Sequence, residues 1–342
     1  MNNQFILSIL ISTLIFCSCE KSNLPVVETL AYEVVSLSAV VFTGEVSDES
    51  GSAVINRGFV WGTHQNPTIS DYFSENEFGP GAFSTKAENL ECKKEYFFRS
   101  YALNANGVGY GKSLSFTISG PEMGTMTDPR DGKSYSTVTI VNQTWMADNL
   151  AFLPAVSPGA SESFNEPFYY VNGYDGENVG QAKSNPYYEA YGVLYNWSAA
   201  MARDSGSTLV PSGIQGVCPD GWHLPSDGEW TLLTGYLGSD AFTKMKSTKG
   251  WFEGLNGDNS SGFNARPGGA RVSGQWVTTA GTNGATGEGA YFWSTTSTNG
   301  WWGAWNRYLA YNDYYEYYNV YEGVRRWDSP REQGLSVRCL KN

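Results

Sequence analysis

Histidine is nearly missing from this chain. Its 342 residues contain only His64 and His223, 159 positions apart, which leaves little for a histidine-rich metal site or several imidazole general bases. Charge is also sparse, at 16% Asp, Glu, Lys and Arg, and no basic run exceeds two residues. With 34 acids against 22 bases the net charge is −12, so the clustered Lys and Arg of a nucleic-acid footprint are absent and nucleic acid is excluded from the expected partners. Beyond the first twenty positions no apolar stretch is long enough to cross a bilayer. What the chain has instead is glycine, 39 residues, and aromatic side chains, with 12 Trp, 22 Tyr and 17 Phe. This composition belongs to strands and loops, not to a coiled coil or a solvating tail. At about 150 residues per domain the length suggests two domains. A hydrophobic content of 41% can supply each with a core.

Residues Phe5 to Phe16 are apolar, too short to span a membrane and placed where a secretory signal carries its hydrophobic region. The run ends in Phe16-Cys17-Ser18-Cys19, followed by polar Glu20-Lys21-Ser22-Asn23. This resembles a bacterial lipoprotein signal, in which a small residue precedes the lipidated cysteine. The resemblance implies a leader over 1–19, acylation at Cys19 and a tether over 20–24. It departs from the pattern in having no Lys or Arg in Met1-Asn2-Asn3-Gln4. Cys17, with Phe16 before it, and an ordinary cleaved signal are the alternatives. The implied location is the bacterial outer membrane at the cell surface, with the lipid as the sole membrane attachment. Cys92, Cys218 and Cys339 remain. An oxidising compartment favours one bridge, expected between Cys218 and Cys339 because both fall in one domain, with Cys92 left as a buried or idle thiol.

Between residues 25 and 119 the pattern has period two: Ala39 to Val46, Gly58 to Gly62, Glu95 to Ala102 and Ser113 to Ile118. Asp48-Glu49-Ser50-Gly51 and Asn104-Ala105-Asn106-Gly107 supply turns. Six or seven short strands in this length predict an all-β sandwich. Leu90 and Tyr96 resemble the tyrosine corner of fibronectin type III folds. With Asn56 to Trp61, Asn66 to Ile69 and Arg99 to Gly107, the segment resembles the fibronectin-type, immunoglobulin-like modules of Bacteroidetes surface lipoproteins, which implies a spacer.

Residues 120–124 read as a linker, and the composition then shifts: 11 of the 12 tryptophans and 17 of the 22 tyrosines follow it. The alternating Val138 to Val141 and the segment Asn142 to Leu150 predict a hairpin. Val193, Trp197, Ala200 and Met201 have helical spacing and predict one helix. Ser226 and Glu229 stand three apart, as in a capping box, ahead of Trp230, Leu233 and Leu237, with Gly238 as the stop. Seven blocks then occur in order: Asp131 to Tyr135, Asn142 to Leu150, Tyr191 to Trp197, Cys218 to Ser226, Gly262 to Gly269, Phe292 to Thr296 and Gly334 to Cys339. Together they resemble the Fibrobacter succinogenes major paralogous domain over residues 125–342. Leu224 to Trp230 and the closing Gly-Leu-Ser-Val-Arg are also distantly similar to the formylglycine-generating enzyme superfamily, a variant of the C-type lectin fold. That implies an α+β domain with two helices and a loop-rich sheet.

No nucleophile, acid/base pair or metal cluster stands out, and the cysteine pair needed for formylglycine-type oxidation is missing, so no enzyme activity is expected. His223 reads as structural and Glu229 as the capping partner of Ser226. Calcium is a possible cofactor, with Asn256, Asp258 and Asn259 on a Gly-rich loop as the oxygen donors. The densest feature is the aromatic stretch 301–321. In a strand pair alternate rings face out, where they suit a glycan or a protein ligand. Trp301, Trp305, Tyr311, Asn312, Asp313, Tyr314 and Tyr317 are the expected ligand-binding residues. The competing expectation places Trp302, Arg307, Leu309 and Val320 in a strand core, with tyrosines decorating a hairpin around Asn312-Asp313. The function this implies is a surface binding or adhesion module on a β-sandwich spacer, recognising a glycan or a cell-surface protein. A glycan-modifying hydrolase using carboxylates such as Asp258 and Asp313, or an envelope component without a soluble ligand, are the alternatives.

Overall fold

A computed structural model of the chain describes residues 23–277, 289–298, 300, 302–310 and 323–342. It is mostly β-sheet, with five short α-helices among the described residues. Two compact units divide the backbone. One holds the described residues up to Tyr32, Phe42–Thr85 and Tyr96–Ser115; the other holds Glu33–Val41, Lys86–Glu95 and the described residues from Phe116 onward.

The period-two runs of the N-terminal region become strands β1 (Val26–Ser36), β2 (Ala39–Asp48), β3 (Asn56–Gly62), β4 (Tyr72–Phe73), β5 (Gly81–Ala87), β6 (Glu95–Asn104), β7 (Gly107–Tyr110) and β8 (Leu114–Thr117). They form a three-stranded sheet in the order β1-β2-β5 and a second sheet in the order β4-β3-β6-β7, with β8 pairing β6. Alternation decides which residues turn inward. On β2, Val40, Phe42 and Val46 are buried, and on β6, Tyr96 and Phe98. Phe42 stacks on Phe98 at 4.3 Å between ring centroids and lies 5.5 Å from Phe59, which joins the inner faces of the two sheets. Burying each such ring stabilises by about 2 kcal/mol. The β6–β7 turn forms where Asn-Ala-Asn-Gly predicts it: the Asn106 amide donates to Asn104 Oδ1 at 2.9 Å, and Gly107 takes φ of 136°.

Strands of the second unit are β9 (Glu122–Thr127), β10 (Ser134–Ile140), β11 (Gln143–Met146), β12 (Tyr169–Tyr170), β13 (Leu194–Tyr195), β14 (Trp222–His223), β15 (Ala270–Val272), β16 (Gln275–Val277), β17 (Gly289–Ser297), β18 (Gly303–Ala310), β19 (Val324–Pro330), β20 (Leu335–Ser336) and β21 (Leu340–Lys341). One sheet runs β14-β21-β11-β10-β9 and another β12-β13-β20-β17-β18-β19, with β15-β16 as a separate pair. The expected hairpin is β10–β11, in register from Thr137↔Met146 to Ile140↔Gln143. Glu122 to Gly124, read as linker, already belong to β9, which pairs with β10.

The helices are α1 (Val179–Lys183), α2 (Pro186–Tyr191), α3 (Trp197–Ala200), α4 (Asp227–Leu237) and α5 (Ala241–Met245). The expected helix around Val193 to Met201 is shorter than its spacing suggests. Leu194 and Tyr195 pair as strand with β12 and β20, and only Trp197–Ala200 is helical, capped by Asn196. Sheet pairing of the two preceding residues overrides the helical periodicity there. Helix α4 follows its sequence signals. Ser226 and Glu229 form the reciprocal capping box, Trp230, Leu233 and Leu237 are buried, and Gly238 ends the helix at φ 77°.

Trp230 lies 4.6 Å from Trp145 and 5.5 Å from Phe292 by ring centroid, so α4, β11 and β17 share one aromatic core. Arg338 is fully buried beside it. It donates from Nε to Asn149 Oδ1 at 2.8 Å, from Nη1 to the Met146 and Phe263 carbonyls at 2.9 and 2.7 Å, and from Nη2 to Asn264 O at 2.9 Å. Burial pulls its guanidinium down to about 9, which keeps it charged at neutral pH. Three of the seven blocks read in the sequence therefore meet at one side chain. A disulfide joins Cys218 to Cys339, as expected. Cys92 is half-buried and donates its thiol to Leu37 O at 2.9 Å; burial raises its pKa.

Candidate functional site

Strands β17, β18 and β19 lie side by side, antiparallel, and their register sorts their side chains. Phe292, Arg307 and Arg326 align across the three strands on one face. Phe292, Arg307 and Leu309 are buried there, as the core reading of Arg307 and Leu309 expects. Arg307 donates to the Asp227 carboxylate and to Thr231 Oγ1 at 2.7 Å, tying the hairpin to the first turn of α4. Burial lowers its pKa, and Asp227 partly offsets this.

The opposite face carries Tyr291, Tyr308 and Arg325 in line, with Trp327 next along β19. Tyr291 and Tyr308 stack nearly parallel, 5.7 Å apart and 15° from coplanar. Trp327 stands edge-on to Tyr308 at 6.4 Å and 89°. Trp327 is 61% exposed, and the two tyrosines are half-buried. Three strands at about 4.8 Å spacing make the row roughly 10 Å wide. Farther along the same face Trp293 and Asn306 are fully buried, and Trp327, across from Asn306 on β19, is the exposed ring of the row.

Of the seven expected ligand-binding residues, Trp305 is described. It lies on the Arg307 face, half-buried, with the Arg326 guanidinium 3.5 Å from its ring, while Arg326 also pairs with Asp227 Oδ2 at 2.9 Å. Trp301, Tyr311, Asn312, Asp313, Tyr314 and Tyr317 lie outside the described residues, as do Val320 and Cys19. Trp302 is 42% exposed and not part of the strand core. Tyr291, Tyr308 and Trp327 are the residues that sequence reasoning missed as a group. They come from three strands, and only the register places the three rings on one face.

The calcium candidates act as loop hydrogen-bond acceptors. Asn256 Oδ1 accepts from the Trp251 amide at 3.2 Å, Asp258 Oδ1 from Ser260 at 2.8 Å and Asn259 Oδ1 from Asn264 at 2.7 Å. Among the described residues no three His, Cys, Asp or Glu side chains gather as a metal would need. His223 is buried and faces Glu229 Oε1 through Nε2 at 2.9 Å; the other Glu229 oxygen takes the amides of Ser226 and Ser212 at 2.9 and 3.1 Å. These partners make the pair part of the α4 cap and its surroundings. No helix among the described residues is long and apolar enough to cross a membrane.

Compared with known proteins, the chain matches one family model, described as the Fibrobacter succinogenes major domain, over residues 138–341. That range takes in β11 to β21, all five helices and the whole aromatic row. No curated protein matches the chain.

Proposed function

Since the chain belongs to the Fibrobacter succinogenes major domain family, whose model covers more than half of it, we propose that it is a recognition protein of the bacterial surface, anchored by lipid at Cys19. Its second unit binds glycan through the aromatic row Tyr291, Tyr308 and Trp327. That row is the observation that carries the reading: the largely exposed indole of Trp327, set edge-on to Tyr308 beside the stacked Tyr291–Tyr308 pair, is an aromatic surface on which the C–H face of a sugar ring can stack.

In this reading the first unit is a fibronectin type III-like spacer, supported by its two small sheets closing on Phe42, Phe59 and Phe98. The second is a C-type-lectin-like α+β domain in which α4 backs the binding sheet. Membrane attachment is through lipid alone, nucleic acid is not a partner, and no catalysis or cofactor is assigned. Stacking needs no metal. A screen of the purified protein against immobilised glycans and polysaccharides, with calcium and with chelator, tests the reading. Retention by at least one polysaccharide is expected, reduced at least tenfold by Tyr308→Ala with Trp327→Ala. Retention unchanged in that variant, or no retention by folded protein, overturns it.

A further inference from the structure

A concavity of roughly 180 Å³ lies within the second unit and shares no residue with the aromatic row. Lys133, Ser136, Asp148, Glu189, Tyr191 and Arg266 line it. Its charges are paired across short distances: Arg266 Nη2 donates to Asp148 Oδ1 at 3.2 Å, and Lys133 Nζ to Glu189 Oε2 at 2.9 Å. Two cations and two carboxylates cancel, so the cleft has no net sign. An anion entering it would meet Asp148 and Glu189, and a cation would meet Arg266 and Lys133. A charged ligand therefore gains little, whereas a neutral group that both donates and accepts hydrogen bonds finds partners of both kinds.

Hydrogen-bonding capacity remains on these side chains. Arg266 gives one bond to Asp148 and one to the Ala190 carbonyl at 3.1 Å, out of the five N–H donors of a guanidinium. Lys133 Nζ gives one, to Glu189, out of three. The walls are also held in place. Asp148 Oδ2 accepts the Ser136 amide at 2.8 Å, and Asn149, fixed by buried Arg338, donates to the Tyr191 carbonyl at 2.9 Å. A ligand therefore meets Asp148 already oriented, which lowers the ordering loss on that wall, while Glu189 stands 79% exposed at the rim. Tyr191, among the lining residues, stacks on Tyr187 at 6.0 Å and 25°. The volume is below the 300 Å³ or so where pockets for drug-sized ligands begin. It has room for one sugar ring and not for a chain.

We propose that this cleft is a binding site for a single neutral, hydroxyl-rich sugar ring, either a free monosaccharide or the terminal residue of a glycan. The site is separate from the aromatic row, and the two readings can fail independently. The test uses the full chain and saturation-transfer NMR and calorimetry with glucose, galactose, mannose, fucose, rhamnose and N-acetylglucosamine, as free sugars, as methyl glycosides and as the reducing and non-reducing ends of short oligosaccharides. At least one sugar is expected to bind with Kd on the order of 1 mM. Ala190→Phe, which fills the cleft, and the surface double variant Lys133→Met with Glu189→Gln should each weaken it about tenfold or more with an unchanged melting temperature. Tyr308→Ala with Trp327→Ala should leave that Kd within about twofold. Equal affinity for a free sugar and for the same residue at a chain end assigns the site to either source; preference for one decides between them. No binding by any of the sugars at tens of millimolar, or binding that survives both cleft variants, overturns the proposal, and polysaccharide retention through the aromatic row would stand regardless.

Discussion

His223 Nε2 lies 2.9 Å from Glu229 Oε1 in the interior of the second unit. The other ring nitrogen, Nδ1, lies 2.7 Å from Asn342 Oδ1, so both nitrogens face oxygens, and the arrangement is satisfied when both donate as an imidazolium. Burial opposes that charge, but the hydrogen bond and the charge of Glu229, together with Asn342, outweigh it and hold the His223 pKa above its ordinary value.

A raised folded-state pKa fixes the sign of the pH dependence. The contribution of His223 is fully present below its unfolded value near 6.5 and is lost as pH rises through the higher folded value. Urea denaturation of the wild type should therefore show stability falling as pH rises above about 6.5, relative to His223→Gln. The variant should be about 3 kcal/mol less stable below that pH, because it leaves Glu229 buried without its partner. Parallel profiles for the two proteins would remove the imidazolium from the account.

Reduction provides a second check. The Cys218–Cys339 bridge spans a sequence separation of 121 residues, and both cysteines are fully buried. Loop-closure entropy puts its contribution on the order of 4 kcal/mol. The variant Cys218→Ala with Cys339→Ala is expected to lose about that much in urea denaturation while keeping its far-ultraviolet spectrum.

Binding and stability should separate on the two faces of β18. Tyr308→Ala and Trp327→Ala act on the exposed row and should lower polysaccharide retention, with stability within about 1 kcal/mol of wild type for the exposed Trp327. Trp305→Ala removes the ring beneath Arg326 on the opposite face and should leave retention intact. Retention lost in Trp305→Ala alone would move the binding surface to that face.

Calcium can be tested directly. Asn256, Asp258 and Asn259 each hold a backbone amide of their own loop, so chelator is expected to leave the melting temperature unchanged. A rise of several degrees on adding calcium would restore this loop as a cation site.

Cys19→Ser is expected to shift the expressed protein from the detergent-soluble membrane fraction to the soluble one. A membrane-bound variant would refute lipid anchoring at that residue.

Much of the architecture was legible in the chain because the signals are local. Period-two burial marks β2 and β6, and the spacing of Ser226, Glu229 and Gly238 brackets α4 to within a residue. The β10–β11 hairpin follows from one turn between two alternating runs, and the disulfide from having two cysteines in one domain. The helix read across Val193 to Met201 is cut back to Trp197–Ala200 because Leu194 and Tyr195 find strand partners in Tyr169, Tyr170, Leu335 and Ser336, and no local pattern reports a partner so distant in sequence.

The sequence by itself determined the β10–β11 hairpin and the bounds of α4, that the chain is rich in aromatic side chains after residue 124, and which family its second half belongs to. Only the tertiary structure decided which rings share a face. Tyr291, Tyr308 and Trp327 come from three strands, and a one-residue slip of β19 against β18 would send Trp327 to the face of Arg307. It likewise decided that Lys133, Asp148, Glu189 and Arg266 stand around one cleft, and that Arg338 joins Asn149, Phe263 and Asn264. Pairing between distant segments sets these neighbours, and their separation along the chain leaves no periodicity from which they could be read.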